Sequence, residues 1–163
     1  MRGIVTSLAV GLLFAAPAAA DTSSSLSFAQ LIDFCGSDTL AGAEAKADRL
    51  GWRRLTEAEL KDWRTGFVAH NGGAVEVSGW QRGEEGGDAL SFWVARGADQ
   101  HRACAYTVNR PSRLLDELTE RFGPPQNLDK QEFGLTASWK LGAMEISYSQ
   151  VGKSAVLYVV HSD

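Results

Sequence analysis

The chain carries two cysteines, Cys35 and Cys104, and the residues around each predict where they sit. From Ser27, the apolar side chains Phe28, Leu31, Ile32 and Cys35 fall at i, i+3, i+4 and i+7, which is the stripe of a helix laid on a core. Cys104 lies within Arg102 to Val108, which reads as a strand after a polar turn. A bond between the two would pin the first helix against a sheet. It would close a loop of 69 positions, and restricting the unfolded chain in this way is worth about 4 kcal/mol. Both sulfurs would then be lost as nucleophiles or metal ligands. In a reducing compartment the same residues would instead be buried thiols.

The N-terminus indicates which compartment applies. Arg2 precedes an apolar run from Ile4 to Ala16, and Pro17-Ala18-Ala19-Ala20 offers small side chains before Asp21. A run of about 13 residues falls short of the roughly 20 that cross a bilayer, so residues 1–20 read as a secretory signal peptide and 21–163 as the mature chain. No cysteine follows the run directly, so a lipid anchor is not expected, and no later segment reads as a membrane span. The expected location is periplasmic or secreted, where the thiols oxidise.

After the first helix, Ser37-Asp38-Thr39 can cap a second, with Leu40, Ala43, Ala47 and Leu50 on one face and Gly51 as a left-handed stop. Thr56 and Glu59 form a capping box flanked by the staple residues Leu55 and Leu60, predicting a short third helix that ends near Gly66. From Gly73 the period becomes two. Val75 and Val77 alternate with Glu76 and Ser78, and Leu90, Phe92 and Val94 alternate with Ser91, Trp93 and Ala95 across a glycine-rich hairpin loop. Pro111, then Leu114, Leu115, Leu118 and Phe122, then Gly123-Pro124-Pro125 punctuate a fourth helix. Strands follow at Phe133 to Lys140 and Met144 to Ser149. The nearly continuous apolar run Ala155 to Val160 suits a strand at the sheet centre. The expectation is an α+β fold packed as one domain over 21–163: N-terminal helices, a three-strand antiparallel meander, one helix and a second three-strand meander. Each half runs from helix to meander, so a structural duplication is conceivable, although no residue-level repeat is visible.

Composition narrows the chemistry. Sixteen Lys and Arg against twenty Asp and Glu give a net charge of −4, so no basic field favours nucleic acid. His70, His101 and His161 lie in separate segments without metal-ligand spacing, and no metal or cofactor is expected. Glu84, Glu85 and Asp88 cluster on one loop but lack the calcium-loop pattern, so they read as a solvated hairpin tip. There is no G-x-S-x-G and no phosphate-binding glycine loop. Glu76 and Glu145 fall on the polar parity of their strands and read as solvated, and no catalytic residue is nominated.

The tryptophans are the most suggestive residues. Trp52, Trp63 and Trp80 are each followed by an arginine, at Arg53, Arg64 and Arg82, and such pairs can stack on a peptide or glycan. Trp139 reads as core. Trp93 alternates out of phase with Leu90 and Phe92, and Trp80 with Arg82 is the preferred exposed anchor. Trp80, Arg82 and Trp93 are therefore the candidate partner-binding residues.

The stretch Leu114 to Val160 has Leu118-Thr119-Glu120-Arg121-Phe122-Gly123-Pro124-Pro125 followed by Trp139 and two more strands. It resembles the helix, G-x-P, three-strand unit of the outer-membrane-assembly SmpA/BamE lipoproteins, and is similar to one half of secreted beta-lactamase-inhibitor proteins. The resemblance implies a non-catalytic protein that binds other proteins through its sheet face. The leading expectation is therefore a periplasmic or secreted binding module of inhibitory or envelope-assembly type, with an envelope or secreted protein as partner. The rival is a small cell-envelope hydrolase using a histidine and a carboxylate, for which His70 and Glu76 are the candidates. A third class is a structural envelope protein with no specific partner, expected if every tryptophan is buried.

Overall fold

The computed structural model describes residues 26–83, 86–111 and 113–162. The expected leader at 1–20 and the loop residues Glu84 and Glu85 lie outside the described residues. Helices α1 (Phe28–Cys35) and α2 (Leu40–Ala47) come first, followed by a 3-10 turn at Asp48–Leu50 and the two-residue strand β1 (Arg53–Arg54). Helix α3 (Glu57–Asn71) leads into the hairpins β2 (Ala74–Arg82), β3 (Asp88–Arg96) and β4 (His101–Asn109). Helix α4 (Leu114–Phe122) is followed by β5 (Asn127–Gln131), β6 (Gly134–Leu141), β7 (Met144–Val151) and β8 (Ser154–Ser162). The class is α+β, dominated by sheet.

Local chemistry sets the helix starts. Ser27 and Gln30 cap α1 reciprocally, and Thr56 and Glu59 do the same for α3. The bidentate Arg53 guanidinium, together with the Thr56 backbone and hydroxyl, holds the Glu59 carboxyl down to about 2. Helix α3 does not stop near Gly66; it continues to Asn71 and is capped by Gly72 at φ 68°.

The eight strands form one antiparallel sheet in the order β1-β2-β3-β4-β8-β7-β6-β5. The expected six strands are present, and β1 and β5 add the two edges. The order is palindromic about the central β4/β8 pair, so the two halves are related by a two-fold in topology. Register makes the equivalence residue by residue. Ala105 faces Tyr158 across the centre. Going outwards, Ala105 pairs Ser91 and Ser91 pairs Gly79, while Tyr158 pairs Ser147 and Ser147 pairs Ser138. Gly79 thus corresponds to Ser138, and Trp80 to Trp139. Both indoles are buried. Each donates its N–H to the residue that ends its half's helix: Trp80 to Asp48 Oδ1 at 2.9 Å, at the end of α2, and Trp139 to the Gly123 carbonyl at 2.8 Å, at the end of α4.

One sheet face carries the main core. Leu31, Phe34 and Cys35 of α1, Ala43 and Ala47 of α2, and Leu114 and Leu118 of α4 pack on Trp80, Phe92, Cys104, Trp139, Tyr148 and Leu157. Cys35 and Cys104 are disulfide-bonded with Cα atoms 5.3 Å apart, which fixes α1 to β4. The opposite face is covered in the first half only. There Leu60 and Phe67 of α3 pack on Val75, Val77, Trp93 and Ala103. A Cβ on Gly79 would come within 2.8 Å of Leu55, so the absence of a side chain there is what seats the start of α3. In the second half β5 and β6 are joined by the turn at Glu132–Phe133 where the first half inserts all of α3.

Candidate partner-binding face

The missing helix leaves the second half of that face bare. The covered row Val77–Trp93–Ala103 corresponds in register to Thr136–Ser149–Val156. Under α3 the row is apolar. On the bare half it is made of hydroxyls and one partly exposed valine. Ser138 and Ser147 form the next row along the strands, with Tyr158, and Asn127 Nδ2 donates to Ser138 Oγ at 3.2 Å. Sheet twist makes this surface a shallow hollow of about 460 Å³ lined by Gln126, Asn127, Asp129, Thr136, Ser138 and Ser149, among others.

Charge on this face lies on the edge strand, at Asp129 within the hollow, and at the rim. Lys140 and Glu145 pair at 2.8 Å, and the Glu145 hydrogen bond raises the Lys140 pKa above its ordinary value. Asp129 accepts from Gln131 Nε2 at 3.0 Å on the edge strand. Among the described residues no group of three or more metal-ligating side chains occurs. Uncharged hydroxyls and amides support docking by hydrogen bonds and contact.

An aromatic seam marks the border between covered and bare halves. Trp63 on α3 stacks on Phe67 at 5.2 Å and tilts against Trp93 at 5.4 Å, and Trp93 meets Tyr158 edge-on at 6.4 Å. The Trp93 indole donates to His101 Nε2 at 3.4 Å, and His101 Nδ1 donates to the Asp99 carbonyl at 2.8 Å, so the imidazole links the buried indole to the turn backbone. The seam surfaces at its two ends, where Trp63 is 39% and Tyr158 44% exposed.

Two expectations about the anchor need correction. Trp80 is not exposed: it is 0% accessible, lies edge-on to Phe34 at 5.8 Å and has the Arg54 guanidinium over its ring. Arg82 is turned inwards, stacking over Trp52 at 5.7 Å and pairing with the buried Asp88 carboxylate. Asp88 also accepts the Asn109 backbone N–H at 3.0 Å, so it secures the start of β3. Burial, aided by the negative charge of Asp88, pushes the neighbouring Tyr106 phenol up to about 12. Trp93 is buried as well and reaches the surface only through its two aromatic neighbours.

The candidate hydrolytic pair is not assembled. His70 sits in the exposed last turn of α3, on the face shared by Val75 and Val77. Glu76 alternates to the other face and pairs with Arg96 at 3.4 Å. His161 lies beside the disulfide. Burial chiefly, and then the charge of Arg102, lower its pKa, while Asp38 and the Cys35 backbone act in the opposite sense.

Of the two surface aromatics, Trp63 is named in the sequence only as one of three Trp–Arg pairs and Tyr158 is not singled out, although a signal is present. Tyr158 is the one residue with a polar tip in the Ala155 to Val160 run, and Trp63 lies within a helix of low overall apolarity. Comparison with protein-family models, with curated proteins and with solved structures finds no match to this chain.

Proposed function

We propose that the protein is an exported, non-catalytic binding module of inhibitory or envelope-assembly type, and that it engages a protein partner through the bare half of its sheet. The leader-like N-terminus and the buried disulfide support an oxidising compartment. The observation that carries the reading is the register equivalence: where the first half seats α3 on Val77, Trp93 and Ala103, the second offers Thr136, Ser149 and Val156 with no helix over them. Such a face stays wetted and soluble alone yet can accept a partner. Its Tyr, Trp, Ser and Asn content is that of surfaces that bind proteins by adaptable polar contacts around rigid aromatic rings.

A photo-cross-linking benzophenone side chain at Ser147 tests this, with the same group at the exposed Lys61 of α3 as control. In the producing cell's exported fraction, the Ser147 position should give a discrete protein adduct that excess unlabelled protein competes away and Ser149→Arg abolishes. Equal adducts from both positions, or indifference to Ser149→Arg, overturn the reading.

A further inference from the structure

We infer that Tyr158 and Trp63 form a preorganised anchor for a separate folded protein that presents an uncharged, apolar protrusion. This rests on the sheet-face reading and assigns the chemistry of its partner.

Tyr158 stands on a floor of small residues. Ala105 faces it on β4 and Ser147 on β7, and Val156 and Val160 flank it along β8. Its ring therefore projects with open steps on both sides while Trp93 props it edge-on from the α3 side. Trp93 is itself fixed by His101 and by Trp63. An exposed aromatic braced in this way has already lost much of the rotational freedom that binding would otherwise remove, which is the property of an interface hot spot. Trp63 and Tyr158 both contact Trp93, so the two exposed rings flank the buried indole.

Charge and area select the occupant. Among the described residues, the strand neighbours of Tyr158 on that face, Ala105, Ser147, Val156 and Val160, carry no charge, and the diagonal Glu145 is paired with Lys140. A charged partner group would be desolvated there without a counterion, so the complementary surface is uncharged. At about 4.8 Å between strands and about 3.3 Å per residue, the bare face measures roughly 24 by 20 Å, about 500 Å². Two such faces bury about 1,000 Å², short of the roughly 2,000 Å² or more of obligate homodimers and suited to a reversible complex with another protein.

The test pans a phage-displayed library of disulfide-constrained peptides on the folded protein and measures the selected peptides on variants. The expected consensus has an apolar or aromatic centre without charge. Tyr158→Ala and Trp63→Ala should each weaken binding tenfold or more, Tyr158→Phe should stay within about threefold, and circular dichroism should be unchanged. Loss on Ser149→Arg alone overturns the anchor and leaves the sheet-face reading standing. Indifference to every variant overturns both. A charged consensus overturns the uncharged partner. Tyr158-dependent binding of a labelled cell-wall glycan fragment, or Tyr158-dependent self-association in sedimentation, overturns the separate protein partner in favour of a glycan or a second copy.

Discussion

Removing the covalent tie between α1 and β4 is expected to cost the fold about 4 kcal/mol. The perturbation is the double variant Cys35→Ala, Cys104→Ala, since serine would leave a buried hydroxyl without a partner. The magnitude follows from the separation of 69 positions, which the bond removes from the freedom of the unfolded chain. A domain of ordinary stability has about 5–15 kcal/mol in total, so the variant should fold, but marginally. Native packing of α1 should persist, because Leu31 and Phe34 are buried and Phe34 lies edge-on to both Trp80 and Phe92. Urea unfolding followed by tryptophan fluorescence should show a lower midpoint and a steeper denaturant dependence, as the uncrosslinked unfolded state exposes more surface. The two half-cystines are 1% and 0% accessible, so reductant should cleave the native bond only as fast as the protein unfolds. A loss below about 1 kcal/mol, or rapid reduction without denaturant, would refute the reasoning.

Trp80→Ala and Trp139→Ala should each destabilise by about 3–5 kcal/mol in urea titrations, while Tyr158→Ala should stay within about 0.5 kcal/mol. A larger loss for Tyr158 would show that it is core. Spectrophotometric titration should show Tyr106 ionising near 12. Because its folded pKa lies above the unfolded value near 10, its contribution is complete below that pH and is lost as pH rises from about 10 to 12. His161 has the opposite sign: its folded pKa lies below the unfolded one, so the unfolded chain takes up its proton first and stability declines as pH falls below about 6.5. His161→Gln should flatten that acid-side slope in pH-dependent thermal unfolding, and an unchanged slope would assign it to other groups.

Strongly punctuated segments were legible in the sequence. The capping box of α3, the amphipathic stripe of α1, the whole of α4 and the alternating strands all form where residue pattern alone places them. Segments specified by neighbours were not. Arg53–Arg54 and Asn127–Gln131 are exposed on both sides and carry no alternation, and they become strands only because β2 and β6 offer edges to pair with. The length of α3 was missed because Gly66 costs an exposed helix about 1 kcal/mol. Phe67, one residue later, packs on the sheet and carries the helix through to Gly72.

The misreading of Trp80 has one physical cause, and the same cause hid the site. Alternation separates inside from outside only when one face of a strand is solvated. Strand β2 is covered on both sides, by α3 over Val75 and Val77 and by α1 and α2 over Trp80, so the out-of-phase tryptophan is as buried as the in-phase valines. Trp93 on β3 obeys the same logic under α3. Strands β6 and β7 are covered on one side only, and there alternation does mean in and out: Trp139 and Ile146 are buried, Thr136 and Ser147 are exposed. The equivalence of Trp80 with Trp139 escapes a sequence comparison at any fixed spacing, because the β2–β3 and β3–β4 loops are longer than the β6–β7 and β7–β8 turns. Strand register restores it. Once the halves are aligned that way, the hydroxyls of the second half fall on the positions whose first-half equivalents lie beneath α3. The bare face is thus a property of the fold's symmetry that no single segment of the sequence encodes.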